Sequence, residues 1–339
     1  MSKPSSLREL EILLETWIST SAGRRSFLSS VPLLLTACAA KEQSRYREGD
    51  NRGQDTELTV DDERALTAEA MPQLEKAYPP LKNAEVQSYV SSLGKSIAQS
   101  NGLEGNPYRY SFTAVSTPMV NAFALPAGTI FVTVPLIAMA DTEAELAGVI
   151  GHEIGHVKAR HAAERMEQQR RDKGKNIFMT LGGAILGGAA GFGLGKFLCA
   201  PKDNECLARA AAIGAAAGAG GSLLIQKFSY MANSREDEME ADRIGFRTSV
   251  KSGYSKRHVG DFFEKLQKME EQRQKSGAPF LKSVTDAMST HPPSNERVLQ
   301  MKRMESETVQ TAGITSSKDF DRIKKWAENW TKENSKQRT

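Results

Sequence analysis

The sequence predicts a mainly α-helical protein with a small β-sheet. Two capped helical segments, one near residue 142 and one near residue 234, supply the helical part. A third comes from aromatic and apolar residues recurring at helical spacing near the C-terminus. The sheet is expected from the stretch Asn121 to Val132, taken up below.

The first helix begins at Asp141-Thr142-Glu143-Ala144-Glu145. Thr142 and Glu145 make a capping box, and Leu146, Val149 and Ile150 follow at helical spacing as an apolar face. This helix runs into Gly151-His152-Glu153-Ile154-Gly155-His156, which reads HExxH. Residues four apart share a helix face, so His152 and His156 can reach one metal ion. Glu153, one residue along, can face a metal-bound water and take its proton. Two imidazoles with a general base form the core of a zinc hydrolase site.

A third ligand is required. The long motif HExxHxxGxxH fails, because positions 159 and 162 are alanine. His161 lies about 140° around the helix from His156 and reads as a surface residue. The better candidates lie in Ser234-Arg235-Glu236-Asp237-Glu238-Met239-Glu240-Ala241-Asp242, where Ser234 and Asp237 resemble the start of a second helix. Glu238 and Asp242 share a face there. That suits one carboxylate on the metal and a second holding the free N–H of a ligating histidine. Glu240 points about 160° away from that pair.

Between the two helices lies a Gly/Ala-rich block at 176–226. Residues 176–195 carry no charge, and Gly183, Gly187, Gly191 and Gly195 recur every four residues. Gly214 and Gly218 repeat the spacing in a second uncharged run. Small residues at this interval let backbones approach, so a tight helical hairpin is expected. Cys199 and Cys206 bracket its tip, and in an oxidising compartment the pair favours a disulfide. Arg170, Arg171, Lys173, Lys175 and Lys227 gather at its base, where they can meet anionic headgroups, so membrane dipping competes with a soluble lid or oligomer contact.

The N-terminus reads as an address. Gly23-Arg24-Arg25-Ser26-Phe27-Leu28 looks like a twin-arginine export signal, and an apolar run over 27–37 is too short for a permanent span. Leu35-Thr36-Ala37-Cys38 resembles a lipobox, which makes Cys38 the lipidated residue and 1–37 the signal peptide. Ala39 and Ala40 lack the aspartate that retains lipoproteins at the inner membrane, so the periplasmic face of the outer membrane is favoured. Residues 38–60 are polar and form a tether. The expected peptidase domain covers 61–310. Over 311–339, Phe320, Ile323, Trp326 and Trp330 recur at near-helical spacing, as in a docking helix packed on the core. A net charge of +4 with 25% charged residues gives no sign of nucleic-acid binding.

Taken together, these motifs resemble metallopeptidase family forty-eight, the gluzincins that include the HtpX, CAAX prenyl and Oma-type proteases. The likeness is nearest to periplasmic lipoprotein members such as BepA and LoiP. Asn121 to Val132 looks like the strand pair that precedes the zinc helix in that family. Ser234 to Asp242 resembles its third-ligand motif, and Thr290-His291-Pro292-Pro293-Ser294-Asn295-Glu296-Arg297 its C-terminal element. The resemblance covers roughly 61–305. It implies one Zn²⁺ per chain on His152, His156 and Glu238, with Glu153 as base and Asp242 behind the ligands. It also implies, as catalytic residues beside Glu153, a modulating His291 near the metal and Arg297 near the active site. The expected activity is zinc-dependent endoproteolysis of unfolded or misassembled envelope polypeptides. The rival is a chaperone or assembly factor for outer-membrane proteins with little proteolysis, and all the catalytic residues being present favours the enzyme.

Overall fold

A computed structural model describes residues 56–103, 108–172, 233–276, 287 and 290–336. The signal peptide, Cys38, most of the tether, the 176–226 insertion and both Cys199 and Cys206 lie outside the described residues.

The fold is mostly helical around a three-stranded sheet. Helix α1 (Val60–Ala77) starts at Thr59, whose side chain accepts from the Asp62 amide while Asp62 returns the bond to the Thr59 amide. The helix therefore takes over at the last residue assigned to the tether. Helix α2 (Ala84–Ser100) buries Val86, Val90, Leu93 and Ile97, an i, i+4, i+7, i+11 stripe. Three strands follow: β1 (Ser111–Val115), β2 (Ala122–Ala124) and β3 (Thr129–Thr133). Their order is β1-β3-β2, with β1 parallel and β2 antiparallel to β3. In the register of the antiparallel pair, Ala122 faces Val132 and Ala124 faces Ile130.

Alternation along the strands divides the core. Phe112, Ala114, Ile130 and Val132 point into the main cluster with α2. Val115, Phe123 and Phe131 point the other way, onto Leu74 and Ala70 of α1. A short helix α3 (Val134–Met139) leads to α4 (Glu143–Lys158), which is buried along nearly its whole length. Only half of the expected capping box forms at its start. Thr142 accepts from the Glu145 amide, while Glu145 turns to the Asp141 amide and Lys265.

After α4 come α5 (His161–Asp172), α6 (Arg235–Lys251), α7 (Asp261–Ser276), α8 (Asn295–Glu307) and α9 (Lys318–Lys336). At the start of α6, Ser234 and Asp237 make a complete capping box. In α9, Phe320, Ile323 and Ala327 are buried, with Trp326 and Trp330 packed against the main core. No helix among the described residues is long and apolar enough to cross a membrane.

Helices α4 and α6 meet backbone to backbone. A Cβ added at Gly155 would lie 2.8 Å from the Ala241 carbonyl oxygen. One added at Gly245 would lie 2.6 Å from the His152 amide nitrogen. Ser249 Oγ seals the contact by donating to the Ala147 carbonyl at 2.8 Å. This approach positions one helix's histidines against the other's carboxylates.

Candidate metal centre

On α4, His152 and His156 project from one face toward α6, one turn apart. Glu238 projects from the first turn of α6, and His291 enters from the segment before α8. One ligand atom from each of these four residues lies within 4.8 Å of all the others. His152 Nε2 is 3.0 Å from His156 Nε2 and 3.3 Å from Glu238 Oε2. His156 Nε2 is 3.3 Å from Glu238 Oε1. Around a tetrahedral zinc with Zn–N near 2.0–2.1 Å, neighbouring ligand atoms sit about 3.3 Å apart. Both the spacing and the nitrogen–oxygen donor set fit such an ion. His291 Nδ1 is 3.1 Å from Glu238 Oε1 and 3.2 Å from His152 Nε2, so it stands where a fourth donor would.

The protonation states suit metal loading. Burial pulls His156 well below the usual imidazole range, and the His152 charge adds to this against Glu238. A neutral ring with a free lone pair results. Burial also opposes the charge on His152, but Glu238 and Asp242 outweigh it and hold its pKa up at about 9. Metal loading must displace that proton, so it is favoured by rising pH. For Glu238, burial acts upward, but the charges of His291, Arg297 and His152 prevail and keep the carboxyl well below the usual range.

Behind the donors stands a second set of groups. His152 Nδ1 lies 2.8 Å from Asp242 Oδ1. Arg297 grips Asp242 with two teeth, Nε at 2.7 Å and a terminal nitrogen at 2.8 Å, and its other terminal nitrogen reaches Glu238 Oε2 at 2.8 Å. Arg297 thus bridges two buried carboxylates, offsetting part of their charge, and faces them rather than the open cleft. His161 departs from the surface position expected of it. It is fully buried, with Nδ1 2.8 Å from His156 Nδ1 and Nε2 3.2 Å from Glu240 Oε2. Asn233 was not singled out in the sequence; its amide donates to Glu238 and to the Thr290 carbonyl.

Glu153 flanks the donor cluster on its His291 side. Its carboxylate is buried, 3.3 Å from His291 Nε2, and accepts a hydrogen bond from the backbone of Ala124 at the end of β2. Burial raises its pKa, partly offset by His291 and His152. A carboxylate raised in this way is a better proton acceptor near neutral pH. Glu153 and His291 separate two concavities. One is lined by Phe123, Leu125, Arg160, Arg165 and Asn233. The other is apolar, lined by Leu136, Val149, Phe262, Phe263 and Leu266.

Residues 80–305 match the family model described as peptidase family M48. The beta-barrel assembly-enhancing protease of Escherichia coli O157:H7 is 28% identical over 248 residues, covering 73% of this chain and 44% of that protein. Metalloprotease LoiP of Escherichia coli K12 is 25% identical over 283 residues, 83% of this chain and 96% of the relative. The mitochondrial metalloendopeptidase OMA1 of Arabidopsis thaliana is 31% identical over 203 residues, 60% of this chain and 33% of that protein. The chain spans about half the length of the assembly-enhancing proteases it matches. The chain belongs to peptidase family M48.

Proposed function

We propose that this family M48 chain is a zinc endopeptidase of the cell envelope that cleaves unfolded or misassembled polypeptides. The observation that carries the reading is the donor set of His152, His156 and Glu238 beside the buried, elevated Glu153 carboxylate. A zinc ion held there supplies a Lewis acid that polarises the scissile carbonyl and acidifies water. Glu153 takes the proton from the attacking water and returns it to the leaving amine. Asp242 and Arg297 keep His152 and Glu238 in place and touch no substrate.

β2 pairs with β3 on one side only among the described residues, and its last residue anchors Glu153. An extended substrate adds there as a further strand, with alternate side chains entering the concavities on either side. The apolar one, walled by Phe262, Phe263 and Leu266, takes the exposed apolar side chains of an unfolded chain. Lipidation at Cys38 would hold the enzyme at the periplasmic face of the outer membrane. The relatives named for β-barrel assembly support an envelope substrate.

The test is Glu153→Gln in the full-length protein. It is expected to retain one zinc per chain and to lose cleavage of an unfolded substrate by at least about a thousandfold. Proteolysis retained by the purified variant would refute the role.

One observation favours a second reading, an assembly factor with slow cleavage. With His291 in place the donor set is closed by four groups, as in structural zinc sites. His291→Ala separates the two. If His291 is a removable cap, the variant gains basal cleavage several-fold while keeping zinc. If the site is purely structural, His291→Ala loses zinc with no gain in cleavage, and Glu153→Gln leaves envelope assembly intact.

A further inference from the structure

His156 and His161 meet nitrogen to nitrogen, Nδ1 to Nδ1 at 2.8 Å, with both rings buried. One nitrogen must donate and the other accept. His156 Nε2 is the atom that converges with His152 and Glu238, so its lone pair is committed to the metal. The remaining proton of a neutral His156 then sits on Nδ1 and is donated to His161. His161 Nδ1 is therefore the acceptor, and its own proton sits on Nε2. That nitrogen lies 3.2 Å from Glu240 Oε2, which accepts it. Proton and lone pair alternate along the chain with no charged imidazole.

The backbone is built to make this contact. On a continuous helix, His161 would stand about 140° away from His156. Helix α4 instead ends at Lys158, and Arg160 adopts φ 57°. The chain turns, α5 starts at His161, and the ring is brought back behind His156. On α6, Glu238 and Glu240 face opposite ways, one to the metal side of His156 and the other to its rear.

We propose that His161 and Glu240 are positioning residues: a neutral relay that fixes the tautomer and ring orientation of His156 and thereby sets zinc affinity. The two histidine ligands are then anchored differently. His152 faces the carboxylate of Asp242 directly, whereas His156 faces an imidazole and reaches a carboxylate only through it. A carboxylate partner raises ligand basicity more than a neutral imidazole does, so His156 is the weaker of the two bonds to the ion. The proposal rests on His156 being a zinc ligand, and its test keeps that premise separate.

The full-length protein is loaded with zinc, and affinity is measured by competition with a chromogenic chelator. His161→Phe and Glu240→Leu each break the relay and are expected to weaken zinc binding about 10–100-fold. In Glu240→Gln the amide oxygen still accepts from His161 Nε2–H, so affinity should stay within about threefold of the unmutated protein. The double variant His161→Phe/Glu240→Leu should bind no more weakly than His161→Phe alone, because one chain is cut once or twice. Long-range ¹H–¹⁵N spectra of the unmutated, zinc-loaded protein read the tautomer directly and need no variant to fold. His161 is expected as the Nε2–H form and His156 as the Nδ1–H form. If His161 carries its proton on Nδ1, or if His161→Phe binds zinc as tightly as the unmutated protein, the relay is overturned. If the unmutated protein binds no zinc, the proposed function falls with it.

Discussion

Helix α4 carries the two histidines and makes two contacts of opposite kind. Toward α6 it presents glycines, and the backbones touch. At Gly148, on the same glycine stripe, an added Cβ would lie 2.0 Å from the Val259 carbonyl oxygen, a still tighter contact. Toward α1 the contact is made by side chains just beyond the end of α4. Arg160 Nε donates to Glu63 Oε1 at 2.7 Å, and Tyr108 donates its hydroxyl to the same buried carboxylate. Arg160 also reaches the Leu58 carbonyl, so the segment entering α1 is fastened to the end of α4. A backbone contact has no rotamer with which to absorb change, whereas a side-chain contact can lose a member and relax. Ligand geometry depends on the first kind and the wall of the cleft on the second.

The sharpest way to break this contrast is Gly245→Val. Its new side chain would meet the His152 backbone, so α6 must move and Glu238 with it. A loss of about 3 kcal/mol or more is expected, with zinc content falling below one tenth of an equivalent. Urea unfolding together with metal analysis checks both, and a variant that keeps its zinc would show that the helices tolerate separation. Arg160→Met should be milder, costing about 2 kcal/mol at pH 8 through a buried carboxylate left without its ion-pair partner, with zinc retained. Its pH dependence has a definite sign. Burial already raises the Glu63 pKa against the opposing pull of Arg160, and removing Arg160 raises it further. A group with a raised folded pKa favours the protonated state. The variant is therefore least destabilised below the unfolded value of about 4.3 and loses stability as pH rises toward the folded one. Equal destabilisation at pH 5 and pH 8 would contradict this. Smallest is Ser249→Ala, which removes one hydrogen bond from the α4–α6 contact and should cost about 1 kcal/mol with zinc unchanged.

The same contrast explains what the sequence made legible. The helices bearing HExxH and Glu238 are written in local signals: capping residues, i, i+4 spacing and an apolar stripe. Local chemistry dictates them, and they could be read. His161 could not, because its expected position assumed a helix that continued. The break comes at Arg160, a residue with no intrinsic preference for positive φ. An ion pair to Glu63, distant in sequence, accompanies that turn, and nothing in the flanking residues marks it. The small-residue spacing predicts close glycine packing in the 176–226 block, which lies outside the described residues. On α4 and α6 it occurs at Gly148, Gly151, Gly155 and Gly245. A glycine's role depends on what lies opposite, and that is a tertiary fact. Strand β1 likewise carries no local signal, since its pairing with β3 is parallel and non-local.

Arg297 shows what this construction does to an incomplete chain. From α8 it enters the carboxylate pair on α6, and it is fully enclosed there. Until α8 docks, Glu238 and Asp242 lack its positive charge, and their mutual repulsion opposes holding both ionised in one buried place. Completion of the C-terminal part of the fold is therefore registered electrostatically at the donor set. A copy in which α8 has not docked lacks one of the positive charges that, with those of His291 and His152, hold Glu238 ionised. The donor set is thereby completed only when the C-terminal part of the fold is in place.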